Sequence, residues 1–104
     1  MTTVRIKAGI CGLATVVIAE RMTGRKIKVT LSSECDMVSK MAEEIKELNL
    51  MVIFNRFLDN PVYQAASRYL KHVTCPVPCG ILKAVEVEAG LALPRDVHIS
   101  IEKA

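Results

Sequence analysis

Val4, Ile6, Ala8 and Ile10 alternate with Arg5, Lys7 and Gly9. That is the period of a strand with one face in a core and the other in water. Gly9-Ile10-Cys11-Gly12 interrupts it, and a second strand is expected from about Leu13 to Arg21, with Val16 and Ile18 facing one way. Thr23-Gly24-Arg25 supplies a turn. Ile27, Val29 and Leu31 then alternate with Lys26, Lys28 and Thr30 in a third strand.

The period changes after residue 33. Val38, Met41, Ala42, Ile45 and Leu48 form a helical stripe, and Lys40, Glu43, Glu44, Lys46 and Glu47 occupy the opposite face. Ser33 with Asp36 fits a capping-box variant, which makes Ser33 the expected N-cap. Leu50 to Leu58 fits a helix extension, a short strand or an apolar connector equally well. Asn60-Pro61 starts a second helix, Asn as N-cap and Pro at the first helical position, with Val62, Ala65, Ala66, Tyr69 and Leu70 as its apolar face. A third helix opens near Pro78, carries Ile81, Leu82, Val85 and Ala89, and stops at Gly90 before Pro94. Val97, Ile99 and Ile101 alternate with His98, Ser100 and Glu102 in a closing strand.

The element order is therefore β-β-β-α-α-α-β. The expected fold is an α/β (α+β) two-layer sandwich, with a four-stranded mixed sheet and three helices on one face. Residues 1–104 read as a single domain, because there is no linker, repeat or low-complexity tract. The last strand would run parallel to the first and third through a right-handed crossover.

Directions along this order carry the chemistry. If short connections make consecutive elements antiparallel, Cys11, Cys35 and the Cys75-Pro76-Val77-Pro78-Cys79 loop all arrive at one edge of the sheet. Cys35 and Cys79 fall in first helical turns, where free N–H groups and the helix dipole favour a thiolate. Gly12 and Gly80 sit beside cysteines and would allow close backbone approach, and prolines stiffen the Cys75 loop. Cys11, Cys35, Cys75 and Cys79 are thus candidate metal ligands, for an iron–sulfur cluster or zinc. The spacing is one CxxxC pair plus two distant singles, less specific than paired CxxC motifs. Small buried thiols without a site are the alternative.

Composition narrows the classes. The chain is 51% hydrophobic, enough for an aliphatic core, and its few aromatics are Phe54, Phe57, Tyr63 and Tyr69. A net charge of +3 does not by itself imply nucleic acid, and no nucleic-acid partner is expected. No stretch approaches ~20 apolar residues, so no membrane span is expected. The start of the chain alternates rather than forming an apolar run, so a signal peptide is not expected and the default compartment is a reducing cytoplasm. Arg5, Lys7, Arg25, Lys26 and Lys28 give a basic outer sheet face, solvated or facing a protein partner or a homodimer mate. His72 and His98 read as exposed, and Lys83 with Glu86 as a surface i, i+3 pair. No phosphate loop, dinucleotide motif, Ser-His-Asp set or paired-carboxylate motif is present.

At Gly9-Ile10-Cys11-Gly12, Ser33-Glu34-Cys35, Cys75-Pro76-Val77-Pro78 and Leu91-Ala92-Leu93-Pro94-Arg95-Asp96-Val97 the chain resembles a family of small uncharacterised cysteine-containing proteins of anaerobic bacteria and methanogenic archaea. The resemblance spans almost the whole chain and implies no established activity. An anaerobic setting would favour oxygen-sensitive thiolate chemistry. Cys11, Cys35 and Cys75 lie on the resembling segments, and Cys79 is less firmly part of the pattern.

The leading expectation is a small cytoplasmic cysteine-cluster protein that binds a metal ion or iron–sulfur centre. Thiol redox through Cys75 and Cys79, or a non-catalytic interaction or dimerisation domain, are the alternatives.

Overall fold

The structure, a computed structural model, describes residues 1–104. Three strands form as the alternation predicts: β1 (Thr2–Lys7), β2 (Ala14–Arg21) and β3 (Lys26–Ser33). They make an antiparallel meander, with Ile6 opposite Thr15 and Thr15 opposite Ser33 at one end. Thr2 lies opposite Ala19, and Arg21 opposite Ile27, at the other. The inward rows hold Val4 and Ile6 from β1, Val17 and Ala19 from β2, and Ile27 and Val29 from β3. On β2 the core-facing residues are Thr15, Val17 and Ala19. Val16 and Ile18 lie half-buried on the opposite face. With apolar residues on both faces of β2, alternation alone did not say which face is the core.

The fourth strand is not the expected one. Helix α1 (Asp36–Ala42) ends after seven residues, and β4 (Glu47–Asn49) then pairs antiparallel with β3, Leu48 against Ile27. All four strands are antiparallel, in the order β1-β2-β3-β4, so the expected mixed sheet is corrected. The helical stripe through Ile45 and Leu48 is satisfied in another way: both are buried, but Leu48 gets there from a strand. The free edge of β3 captures the chain, with Val29 N–H donating to the Lys46 carbonyl at 2.8 Å. Val97, Ile99 and Ile101 belong to no element and are exposed. Their alternation specifies a strand conformation but not a partner, and they pair with no strand of their own sheet.

Two short 3₁₀ turns (Leu50–Phe54 and Phe57–Asp59) resolve the ambiguous stretch as a connector. Helix α2 (Pro61–Tyr69) starts as expected: the Asn60 side chain accepts from Val62 N–H at 3.0 Å. Asn60 is itself buried, and its Nδ2 donates to the Val52 carbonyl at 2.9 Å, so one side chain serves both helix cap and connector. Helix α3 (Val77–Glu88) ends at Gly90, with φ +77° and a Leu91 N–H to Glu86 carbonyl bond of 3.0 Å, a Schellman-type stop. The full order is β-β-β-α-β-α-α.

One hydrophobic cluster of 17 buried residues joins the sheet's inner face to the helices. Helix α3 lies over β1 and β2, and a Cβ on Gly80 would come within 2.3 Å of Ile6 Cδ1. Glycine at that point lets the helix sit directly on the strand. Glu88, at the other end of α3, accepts from Thr2 Oγ1 at 2.7 Å and from Arg21 N–H at 2.9 Å. Helix α3 therefore runs from the Ile6 end of the sheet to the Thr2 end. No helix is long and apolar enough to cross a membrane.

Candidate functional site

The end of the sheet marked by Lys7, Ala14 and Ser33 collects three of the four cysteines. Cys11 lies in the β1–β2 loop, exposed, between Gly9 and Gly12, which adopt φ of +91° and +71° and close a turn through Gly12 N–H to the Gly9 carbonyl at 2.9 Å. Cys35 follows β3 as the N-cap of α1. The expected cap, Ser33, does something else. Its hydroxyl bonds Thr15 Oγ1 at 2.7 Å and accepts from Cys35 N–H at 3.1 Å. Pairing with Thr15 keeps Ser33 in the strand, which moves the helix start two residues on. Cys75 precedes α3, in a turn closed by its N–H to the His72 carbonyl at 3.1 Å. Cys35 and Cys75 are half-buried and pack against the core cluster.

The expected convergence rested on chain directions, which a strand between α1 and α2 could reverse. Strand β4 is such a strand, but it runs in the same sense as α1, away from the cysteine end. Helix α3 therefore still starts at the cysteine end, as Gly80 over Ile6 and Glu88 at Thr2 show. Glu34 anchors the loop that carries Cys11 beside Cys35. Its carboxylate accepts from Ala14 N–H at 2.7 Å, and its own N–H donates to the Ala14 carbonyl at 3.0 Å. Ala14 is three residues from Cys11, a reach of at most about 10 Å.

Cys79 points elsewhere. It is exposed on the third residue of α3 and lines a cleft of about 240 Å³ together with Ile53, Asn55, Phe57, Tyr63 and Lys83. Burial pushes the Tyr63 phenol above its ordinary range, and the nearby Cys79 charge adds to this. Phe57 and Tyr63 pack as tilted rings 5.2 Å apart. The cleft is smaller than the ~300–1,000 Å³ usual for small-molecule pockets. Lys83 and Glu86 pair at 3.3 Å on its rim, the surface ion pair expected from their spacing. Linear spacing held no sign that Tyr63 would meet Cys79, since that meeting depends on how α2 packs on α3.

No three His, Cys, Asp or Glu side chains stand close enough together to hold one metal ion. The four sulfurs share an end of the sheet only in part, and they do not share a coordination sphere. His72 and His98 are exposed, as expected. The basic face is open: Arg5, Lys7, Arg25, Lys26 and Lys28 are exposed, and Lys26 meets Glu47 at 3.4 Å.

Two carboxylates hold elements together: Glu44, which the pattern put on a polar helix face, and Glu88, which no sequence pattern singled out. Glu44 accepts from Tyr69 Oη at 2.6 Å and from the Arg68 guanidinium, tying the end of α1 to the end of α2. These bonds hold its carboxyl below the ordinary range, and the Tyr69 phenol is correspondingly raised. Glu88 is also lowered, chiefly by the Thr2 hydroxyl, with help from Arg21 N–H and the amino group of Met1.

Among curated proteins and among solved structures, none matches the chain. A family model does match, over residues 2–101. An antiparallel α+β domain with three cysteines at one end of its sheet thus belongs to the family of unknown function DUF6951.

Proposed function

We propose that the protein binds a soft metal centre, zinc or an iron–sulfur cluster, through Cys11, Cys35 and Cys75. The observation that supports this reading is their position: three loops from distant parts of the sequence bring these thiols to one end of the sheet. Two of them are half-buried against the core, and the third is in a glycine-flanked loop. The ligands would gather when the β1–β2 loop closes toward Cys35, from an anchor that Glu34 already holds. Coupling of metal binding to loop ordering is common, because thiolate sites seldom preform without their ion. Three thiolates leave one position for an exogenous ligand, and Cys79 stays outside the set. A reducing compartment fits this reading, since free thiols persist there.

Anaerobic purification followed by metal analysis and an absorption spectrum tests it. Iron with visible charge-transfer bands, or zinc without colour, supports the proposal. Stoichiometric metal should be lost in Cys11→Ser, Cys35→Ser and Cys75→Ser and kept in Cys79→Ser. Absence of metal from protein purified this way, and after anaerobic incubation with iron and sulfide or with zinc, would overturn it. The exposure of Cys79 favours a second reading, thiol–disulfide exchange with Cys75 four residues before it. That reading requires a Cys75–Cys79 disulfide on mild oxidation, seen by mass spectrometry.

A further inference from the structure

Residues 92–104 make no backbone hydrogen bond, side-chain hydrogen bond or ion pair. Yet Val97, Ile99 and Ile101 alternate with His98, Ser100 and Glu102. The apolar members, with Leu93, are between 59% and 90% exposed. A segment with strand alternation and no ladder is half of a β pairing. The other half is in the same chain. Strand β1 pairs only with β2, so the backbone groups of its outer edge are unpaired. The other sheet edge is less suitable, because β4 has three residues and leads directly into a 3₁₀ turn.

We infer that residues 97–102 add as a parallel strand to the free β1 edge of a second copy of this chain, giving an arm-exchanged homodimer. The two segments match in length, six residues each, and in face. With Val97 beside Thr2, the arm's Ile99 and Ile101 fall beside Val4 and Ile6 and extend the core row at the margin of α3. On the outer face His98, Ser100 and Glu102 fall beside Thr3, Arg5 and Lys7. The β1 outer face carries two cations and no acid, and this register sets the arm's one carboxylate, Glu102, against Lys7. An antiparallel arm with its apolar residues inward would put Glu102 at Thr3 or beyond the strand's start instead.

A second copy is the occupant because every copy carries one arm and one open edge, so a two-fold exchange satisfies both at once and leaves no edge of β1 exposed. The arm does not fold back on its own β1, although the stretch from Ala89 to Asp96 gives it slack to do so. The molecule measures 48 Å along its long axis against 28 and 25 Å across. This inference does not rest on the metal reading, since it is argued from the unpaired arm and the open β1 edge and uses no cysteine.

Sedimentation velocity across the micromolar to millimolar range tests it on the full chain, on a chain ending at Pro94, and on Ile99→Lys. The full chain should be a dimer and the other two monomers. The two variants should keep the helical circular dichroism signal of the full chain, because the arm touches nothing in its own domain, and lose only the strand signal of the docked arm. A full chain that stays monomeric, with the arm free, folded back or reserved for another protein, overturns the inference. So does a dimer that survives both variants. Lys7→Glu and Glu102→Lys should each weaken the dimer, by roughly two- to five-fold for a cross-strand ion pair, and together restore it. Additive loss in the double variant would overturn the parallel register.

Discussion

At the Thr2 end of the sheet, polar bonds join elements far apart in sequence. Glu88 ties α3 to β1 and β2, Leu50 N–H donates to the Arg25 carbonyl at 2.8 Å, and buried Asn60 joins the connector to α2. At the Ser33 end the corresponding side-chain bonds, the Glu34–Ala14 pair, the Ser33 hydroxyl bonds and Ser39 Oγ to the Ser33 carbonyl, are exposed or half-buried, and none is buried as the Asn60 bonds are. There the loops end in cysteines rather than in fasteners. Bonds open to water cost less to break than buried ones, which makes the Ser33 end the more easily opened of the two. Sites that move are drawn from the less stable parts of a fold, and this end fits that description.

The largest effect should come from Asn60→Ala. It removes a helix cap and one of the two donors to the Val52 carbonyl, which keeps Asn55 N–H, a loss of about 1–3 kcal/mol in denaturant unfolding. Next is Gly80→Ala. The added methyl meets Ile6, and overpacking outweighs the gain in helix propensity, for a net loss of about 1–2 kcal/mol. Because Gly80 seats the start of α3, this variant should also disturb Cys75, read as faster alkylation of that thiol. Glu88→Gln should lower stability by about 1 kcal/mol at neutral pH, as charge-assisted bonds become neutral ones. The pH profile gives the sign. Glu88 has a depressed folded pKa, so it contributes stability above the ordinary carboxyl range and loses it as pH falls through the folded value. The variant should therefore have a shallower loss of stability below about pH 4.5, with Glu44 accounting for part of what remains. Smallest of all, Cys11→Ser should change stability without metal by under about 0.5 kcal/mol, the scale of an exposed loop substitution. If it proved as costly as Asn60→Ala, the contrast between the two ends would fail.

Much of the fold could be read from the chain, and the misreadings share a cause. Ile6, Ile27, Val62 and Ile81 are core residues by pattern and by structure. The Asn60-Pro61 start and the Gly90 stop were legible because capping is local chemistry between residues a turn apart. Leu48 was assigned to the core correctly and to a helix wrongly, because its spacing from Ile45 continues the helical stripe, while the three-residue β4 is too short to show an alternation of its own. Ser33 was displaced as N-cap by Thr15, eighteen residues away. For the site, Cys11, Cys35 and Cys75 could be placed at one end by direction alone. The same argument placed Cys79 there too, but it could not show that the thiol lies on the Tyr63 side of α3, since Tyr63 comes from another helix.

The sequence by itself determined which segments alternate, which are helical, where α2 starts and α3 stops, and which end of the sheet the firmer three thiols reach. Those properties come from backbone periodicity and local capping. Tertiary structure decided which segment takes the open edge of β3, which face of β2 is the core, and which side of α3 Cys79 occupies. Such choices depend on competition between distant segments for the same edge or face, and Glu47–Asn49 holds the edge of β3 while residues 97–101 remain without a partner.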